Sequence, residues 1–248
     1  MQLTPSEDES LDQLVGDWRI FQLRRGHRFS TDDLLTAWKA SQVRPQARRY
    51  CDLGSGIGSV GLMTLWNLPR DAHMTTVEVQ EVSYKLAQRS MAINGLQDRT
   101  RLLHGDMRET DAGGPYELVT GSPPYIPLGK GVVSPHPQRA GCRMELKGSV
   151  FDYCEAAARI LEPGGRFVFC HSGVDPRPEQ AIPAAGLTLL ERQDVYFRVG
   201  KPPTIALFVC AWEGERQDAE PLVIRDEAGQ FTAAYRKAQA EMGNAGKG

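Results

Sequence analysis

Tyr50-Cys51-Asp52-Leu53-Gly54-Ser55-Gly56-Ile57-Gly58, with Val60-Gly61-Leu62-Met63 behind it, is the stretch on which the fold turns. A short apolar lead-in ends in an acid, three glycines alternate with small residues, and a helical pattern opens. Glycines belong where backbone turns sharply and lies against a ligand without a Cβ in the way. In an open α/β sheet such a loop sits beyond the carboxyl end of its strand, where ligands bind. On spacing alone, Gly56-x-Gly58-x-x-Gly61 also fits a dinucleotide loop, with Glu78 twenty residues after Gly58 as its ribose-binding acid.

Outward from this loop the chain alternates strand and helix. Strands are predicted at 49–53, 74–79, 101–104, 116–120 and 166–170, and helices at 59–67, 80–94 and 149–161, with a turn at Pro163-Gly164-Gly165. This alternation implies a mainly parallel sheet with helices on both faces. Two extended patterns, 187–198 and 204–212, are joined by Gly200-Lys201-Pro202-Pro203 with no room for a helix, so they pair antiparallel at one edge. Ahead of the core, residues 1–10 read as a mobile tail and 18–23 as a short strand. Thr31 or Asp32 then caps a helix carrying Leu34, Leu35, Ala37 and Trp38. Behind the core lie a turn at Asp226-Glu227-Ala228-Gly229 and a helical stretch over 232–241. The division is an N-terminal extension at 1–48, a core at 49–212 and a charged C-terminal extension at 213–248.

Composition narrows the class. With 248 residues, 41% hydrophobic and 24% charged, the chain can bury an ordinary globular core. No apolar run approaches the roughly 18 residues of a membrane span, and the acidic start (Ser6 to Ser10) is unlike a signal peptide. The five cysteines show neither a C-x-x-C pair nor metal-ligand spacing, which predicts free thiols in a reducing cytoplasm and no metal site.

The second diagnostic run is Gly121-Ser122-Pro123-Pro124-Tyr125, after the fourth core strand. Two prolines stiffen the backbone and leave the Pro123 carbonyl free to accept one hydrogen of an exocyclic amine. Ser122 can take the other hydrogen, and Tyr125 can stack on a flat ring.

These residues resemble the amino-group methyltransferases with an Asn-Pro-Pro-Tyr type motif, and among them the bacterial tRNA(Val) adenine-N6 methyltransferase-like family. The likeness runs through Arg24 to Asp32, Asp52 to Gly58, Glu78-Val79-Gln80 and Ile93-Asn94-Gly95-Leu96. It continues through Gly129 to Glu145, Gly200-Lys201-Pro202 and Val223 to Thr232. It implies a Rossmann-like class I fold dependent on S-adenosylmethionine (SAM), with a seven-stranded, mainly parallel sheet and an antiparallel terminal hairpin. On this reading Gly54, Gly56 and Gly58 pass against the methionine and ribose, and Asp52 anchors the amino-acid end. Glu78 then accepts the ribose hydroxyls and Asp106 the adenine amino group, while the resemblance adds Asp32 to the cofactor set. Asp52, Asp106, the terminal hairpin and the Pro-Pro-Tyr run together favour SAM over a dinucleotide.

The implied reaction is methyl transfer to adenine N6 in tRNA or another structured RNA, with Ser122, Pro123 and Tyr125 as the catalytic set. Arg24, Arg25, Arg28, Lys130, Arg139 and Arg143 would meet the phosphates. Here Ser122 stands where the motif has Asn. That leaves two alternatives open: a protein or small-molecule amine as acceptor, or a SAM- and RNA-binding protein with weak transfer.

Overall fold

The computed structural model describes residues 2–127, 129 and 134–243. The chain opens with an antiparallel hairpin, β1 (Glu9–Val15) and β2 (Trp18–Leu23), and α1 (Thr31–Val43) leads into the main sheet. There follow β3 (Arg49–Leu53), α2 (Ser59–Asn67), β4 (His73–Glu78), α3 (Glu81–Ile93), β5 (Thr100–His104) and β6 (Tyr116–Gly121). A short helix α4 (Pro137–Arg143) precedes α5 (Val150–Ile160), β7 (Leu161–Ser172) and α6 (Arg177–Ala184). The chain finishes with β8 (Thr188–Tyr196), β9 (Ile205–Ala211), β10 (Leu222–Val223) and α7 (Ala233–Glu241).

The large sheet has the order β10-β8-β9-β7-β6-β3-β4-β5. Every adjacent pair in it is parallel except those made by β9, which runs antiparallel to both β7 and β8. Order reverses beside β3, which has β4 on one side and β6 on the other, so the glycine loop and the Ser-Pro-Pro-Tyr run leave adjacent strands at one crevice. Strands covered on both faces need apolar side chains throughout, and all seven residues of β9 are buried.

Two packed layers flank the sheet. One holds Phe167, Phe169 and Phe208, whose rings stack with successive centroids 4.9 Å apart. The other takes in α1 and α2 together with Ile20 and Phe21 from the hairpin and Ile224, Tyr235 and Met242 from the C-terminal segment. Both extensions therefore close the same core. The helix starts follow local chemistry: Ser30 and Asp33 form a capping box on α1, and Ser149 and Asp152 form one on α5.

Four features depart from the sequence reading. The two-residue β10 adds an eighth strand to the expected seven. The supposed tail is tied down, because Arg89 on α3 pairs with Glu9 at 2.6 Å and donates to the Gln2 and Thr4 carbonyls. Pro163-Gly164-Gly165 forms an irregularity within β7, where the register with β6 shifts, with Gly164 at φ +78°. The helix α6 went unread because Pro178 and Pro183 lie inside it. All five cysteines are free. Among the described residues no helix is long and apolar enough to cross a membrane, and no His, Cys, Asp and Glu group is placed to hold a metal.

Candidate active site

The crevice beside β3 is a cleft of about 760 Å³, part of it open to solvent. Its floor is the glycine loop, and the three glycines do different work. Gly54, at φ +58°, leaves room for the Tyr153 hydroxyl, which an added Cβ would meet at 1.8 Å. Gly58, at φ +87°, caps α2 and faces Met91 and Ala87 of α3. Gly56, at φ +56°, has nothing within 4 Å of where a Cβ would stand, so it is the glycine with open space before it. Gly54 and Gly56 line the cleft.

Glu78, at the end of β4, is 4% exposed and lines the cleft. Its two carboxylate oxygens accept from the Gly56 and Gln80 amides, each at 2.7 Å, which fixes the group against the loop. Burial raises its pKa, partly offset by those amides. Asp52 accepts from the Thr120 hydroxyl at 2.7 Å through Oδ1, while Oδ2 is buried against Gly61 of α2, whose amide favours the charged form. Burial pushes Asp52 up to about 7. Ser55 Oγ is buried and unpartnered in the lining. Two buried carboxylates and an unpartnered hydroxyl around an open glycine suit a ligand with a charged amino-acid end and a ribose. SAM has that make-up.

The acceptor side is built at the end of β6. Ser122 and Pro124 line the cleft, and Ser122 Oγ is a further buried atom with no hydrogen-bond partner. Pro123 is buried and is not among the lining residues. Tyr125 is turned away from the cleft. Its hydroxyl donates to Asp32 at 3.1 Å and lies 3.0 Å from Cys170 Sγ, and its ring is tilted against His171 with centroids 5.1 Å apart. His171 is fully buried, and desolvation lowers it to about 4.

Two acids assigned to the cofactor from sequence do not face the cleft. Asp32 holds Tyr125, and its neighbour Asp33 lines the cavity instead. Asp106 is bound by Arg108 at 2.9 and 2.5 Å, which lowers its pKa, while Gly105 and Met107 beside it form the wall.

Residues that sequence reasoning missed complete the enclosure. Tyr153 projects from α5 onto Gly54 and Gly121. The segment carrying α4, most of which falls in the stretch Gly129 to Glu145 already marked by the resemblance, adds Gly141, Cys142, Lys147 and Gly148 to the lining. Gln138 fastens it: its Oε1 accepts from the His27 amide at 3.0 Å and its Nε2 donates to Ser83 Oγ at 3.1 Å. Asp33 had a signal, since Ser30-x-x-Asp33 is a capping pattern, whereas Tyr153 and Gln138 reach their partners across long sequence separations.

The same hydrogen bond sets two basic segments side by side. Arg24 and Arg25 are exposed in the loop that packs on α4, and Arg139 and Arg143 are exposed on α4. Arg28 is engaged with Asp12 at 3.0 Å. Lys130 lies outside the described residues.

With this geometry in hand, comparison with known proteins is specific. The family model "Methyltransferase small domain" matches residues 29–172, more than half of the chain, and the chain belongs to that family of SAM-dependent methyltransferases. It is 26% identical over 220 residues to a tRNA1(Val) (adenine(37)-N6)-methyltransferase of Tolumonas auensis, covering 88% of this chain and 90% of the relative. The protein of the same description from Haemophilus influenzae strain PittGG is 27% identical over 218 residues, covering 85% and 88%. Among solved structures, a predicted O-methyltransferase from Agrobacterium tumefaciens superposes with a TM-score of 0.62 at 20% identity, covering 86% of this chain and 97% of its own. TrmN from Thermus thermophilus gives 0.51 at 20% identity, with 72% and 48% covered. These two likenesses show the fold, and the family match makes the chain a methyltransferase.

Proposed function

We propose that this methyltransferase transfers a methyl group from SAM to the exocyclic amino group of an adenine in tRNA or another structured RNA. One observation carries the reading: Ser122 Oγ, buried and unpartnered, faces the cofactor cleft from the Ser-Pro-Pro-Tyr run at the end of β6. The curated relatives' description supplies the acceptor, and the adjoining exposed arginines at 24, 25, 139 and 143 supply a surface for phosphates.

When bound, SAM supplies a methyl group on a positively charged sulfur. The chain's own residues provide alignment. Glu78, pinned by two amides, accepts from the ribose hydroxyls, and Asp52 and Ser55 hold the amino-acid end. Ser122 Oγ takes one of the two amine hydrogens. Asp32, through the Tyr125 hydroxyl, fixes the backbone of the motif. An in-line displacement of this kind depends on positioning and exclusion of water more than on a strong base.

Ser122 in place of Asn favours a second reading, in which the amine belongs to a protein or small molecule or transfer to RNA is weak. Incubation of the full chain with methyl-labelled SAM and total RNA from a strain lacking the gene separates the two. Label in N6-methyladenosine of a tRNA-sized species is the expected result. Label absent from RNA, and not restored by Ser122→Asn, would reject the adenine acceptor.

A further inference from the structure

Beyond the cleft, the same edge of the sheet carries a surface that the site does not use. β6, whose end bears Ser122 to Tyr125, is followed across the sheet by β7, β9 and β8. Ser172 at the end of β7 pairs with Ile205 at the start of β9, and Ile205 pairs with Val195 near the end of β8. The tip of the β8–β9 hairpin, residues 197–204, therefore stands at the same edge as the acceptor motif. Neighbouring strands lie about 4.8 Å apart, which puts the tip roughly 10–15 Å from β6. Backbone bonds hold it there. The Gly173 amide donates to the Thr204 carbonyl at 3.2 Å, the Thr204 amide donates to the Val195 carbonyl at 2.9 Å, and a Cβ on Gly173 would meet Pro203 at 2.8 Å.

Phe197 and Val199 are 37% and 47% exposed on this tip, and Val174, beside Gly173 on the abutting loop, is 68% exposed. Apolar residues exposed singly need no explanation, whereas an aromatic and two aliphatic side chains on abutting loops call for a partner. Arg198, between Phe197 and Val199, and Lys201 just beyond are exposed as well. The acids of this flank are already neutralised. Asp175 and Glu145 pair with Arg177 at 2.6 and 2.5 Å, and Glu179 and Asp194 pair with Arg192 at 2.6 and 2.8 Å. Among the described residues, Arg198 and Lys201 enter no ion pair, so their charge faces outward.

An exposed ring with a guanidinium beside it and an ammonium close by fits an unstacked base and the phosphates next to it, since every base has a π-face. Position supports the same occupant. Helix α4, with Arg139 and Arg143, abuts Gln80 after β4, on the other side of β6 from the tip. Basic surfaces thus flank the acceptor motif on both sides. We propose that the β8–β9 tip is a second RNA-binding element, in which Phe197 stacks on an unpaired base near the target and Arg198 and Lys201 meet the adjoining phosphates. The strand is then held on both flanks of the cleft while the target base is unstacked between them. This rests on reading RNA as the acceptor. It requires a single-stranded loop, because a duplex keeps its bases stacked and offers Phe197 no ring face.

Fluorescence anisotropy on the full chain tests this, with a labelled RNA stem-loop whose loop contains adenines and with the fully paired duplex of its stem as probes. Phe197→Ala is expected to weaken stem-loop binding about tenfold and to leave duplex binding unchanged, while Phe197→Tyr keeps the stem-loop affinity. Arg198→Gln combined with Lys201→Gln is expected to lower the slope of log affinity against log salt by about 1.4. SAM affinity by calorimetry should be the same in every variant, since the tip lies outside the cleft. On a chain that binds the stem-loop, affinity and salt slope both unchanged in the variants would overturn the proposal and leave the RNA reading standing. A chain that binds SAM and neither RNA probe would remove the RNA reading and this inference with it. A dimer in sedimentation that Phe197→Ala dissociates would assign the patch to a second copy of the chain and overturn the proposal.

Discussion

Asp52 sits where folding and binding want opposite things. Its folded-state value of about 7 lies above the ordinary 3.8, so its contribution favours folding at low pH and is lost as pH rises through 7. Above both values the penalty is about 4 kcal/mol. Asp52→Asn keeps an acceptor for Thr120 and removes the buried charge, so the ligand-free variant should melt several degrees higher at pH 8, with the gain shrinking towards pH 4. Thermal unfolding at the two pH values checks this; a gain independent of pH would mean the charge is not the cause. The neighbouring acids Asp32 and Asp33 show where sequence stops. Consecutive helical residues point about 100° apart, and the pattern Ser-Thr-Asp-Asp does not say which of them meets Tyr125 and which the cavity.

Among elements, the glycine loop and its flanking strand and helix were legible because their cause is local: positive φ, a strand end and a helix start lie within a dozen residues. The hairpin at 187–212 was legible from its alternation and its Pro-Pro turn. β1 was not, since its polar, acidic start hides a strand that forms by pairing with β2, and the Glu9 side chain finds its partner Arg89 80 residues on. In the α4 segment sequence reveals the basic residues Arg139 and Arg143, and its fastening through Gln138 appears only in three dimensions. Gln138 is 2% exposed with both ends of its amide bonded, so Gln138→Ala strips partners from the His27 amide and Ser83 at a cost of about 1–3 kcal/mol. Amide exchange at Ala140 and Met144 should rise by roughly tenfold or more, with exchange in β6 and β9 unchanged. Equal protection in the variant would show that the segment is held elsewhere.

At the scale of the whole molecule, the core reaches beyond the Rossmann-like unit. Leu222, Ile224, Tyr235, Ala238 and Met242 pack into the layer that holds α1 and α2, and Trp38 Nε1 donates to Glu241 at 2.7 Å. A chain ending at residue 212 would uncover this layer, so it should melt at least 10 °C lower or aggregate; comparison with the full chain by calorimetry decides. Sequence gives a mainly parallel sheet with a terminal hairpin, since alternating strand and helix patterns imply parallel pairing, and the strand order comes only with the fold. Sequence left open whether residues 213–243 dock, because scattered apolar residues among charges do not reveal the surface awaiting them.

Gly54 carries a longer consequence. Its left-handed backbone and the Tyr153 hydroxyl pressed against its missing side chain are separate reasons for glycine. Random drift that shortened residue 153 would remove one obstacle and leave the other, so no single second change opens position 54 to variation. Residue 153, helical and packed on Gly54 and Gly121, is held by contacts alone and carries no backbone requirement of that kind. Over evolutionary time the tyrosine is free to be exchanged first, and descendants of this chain should keep the glycine long after they have lost its neighbour.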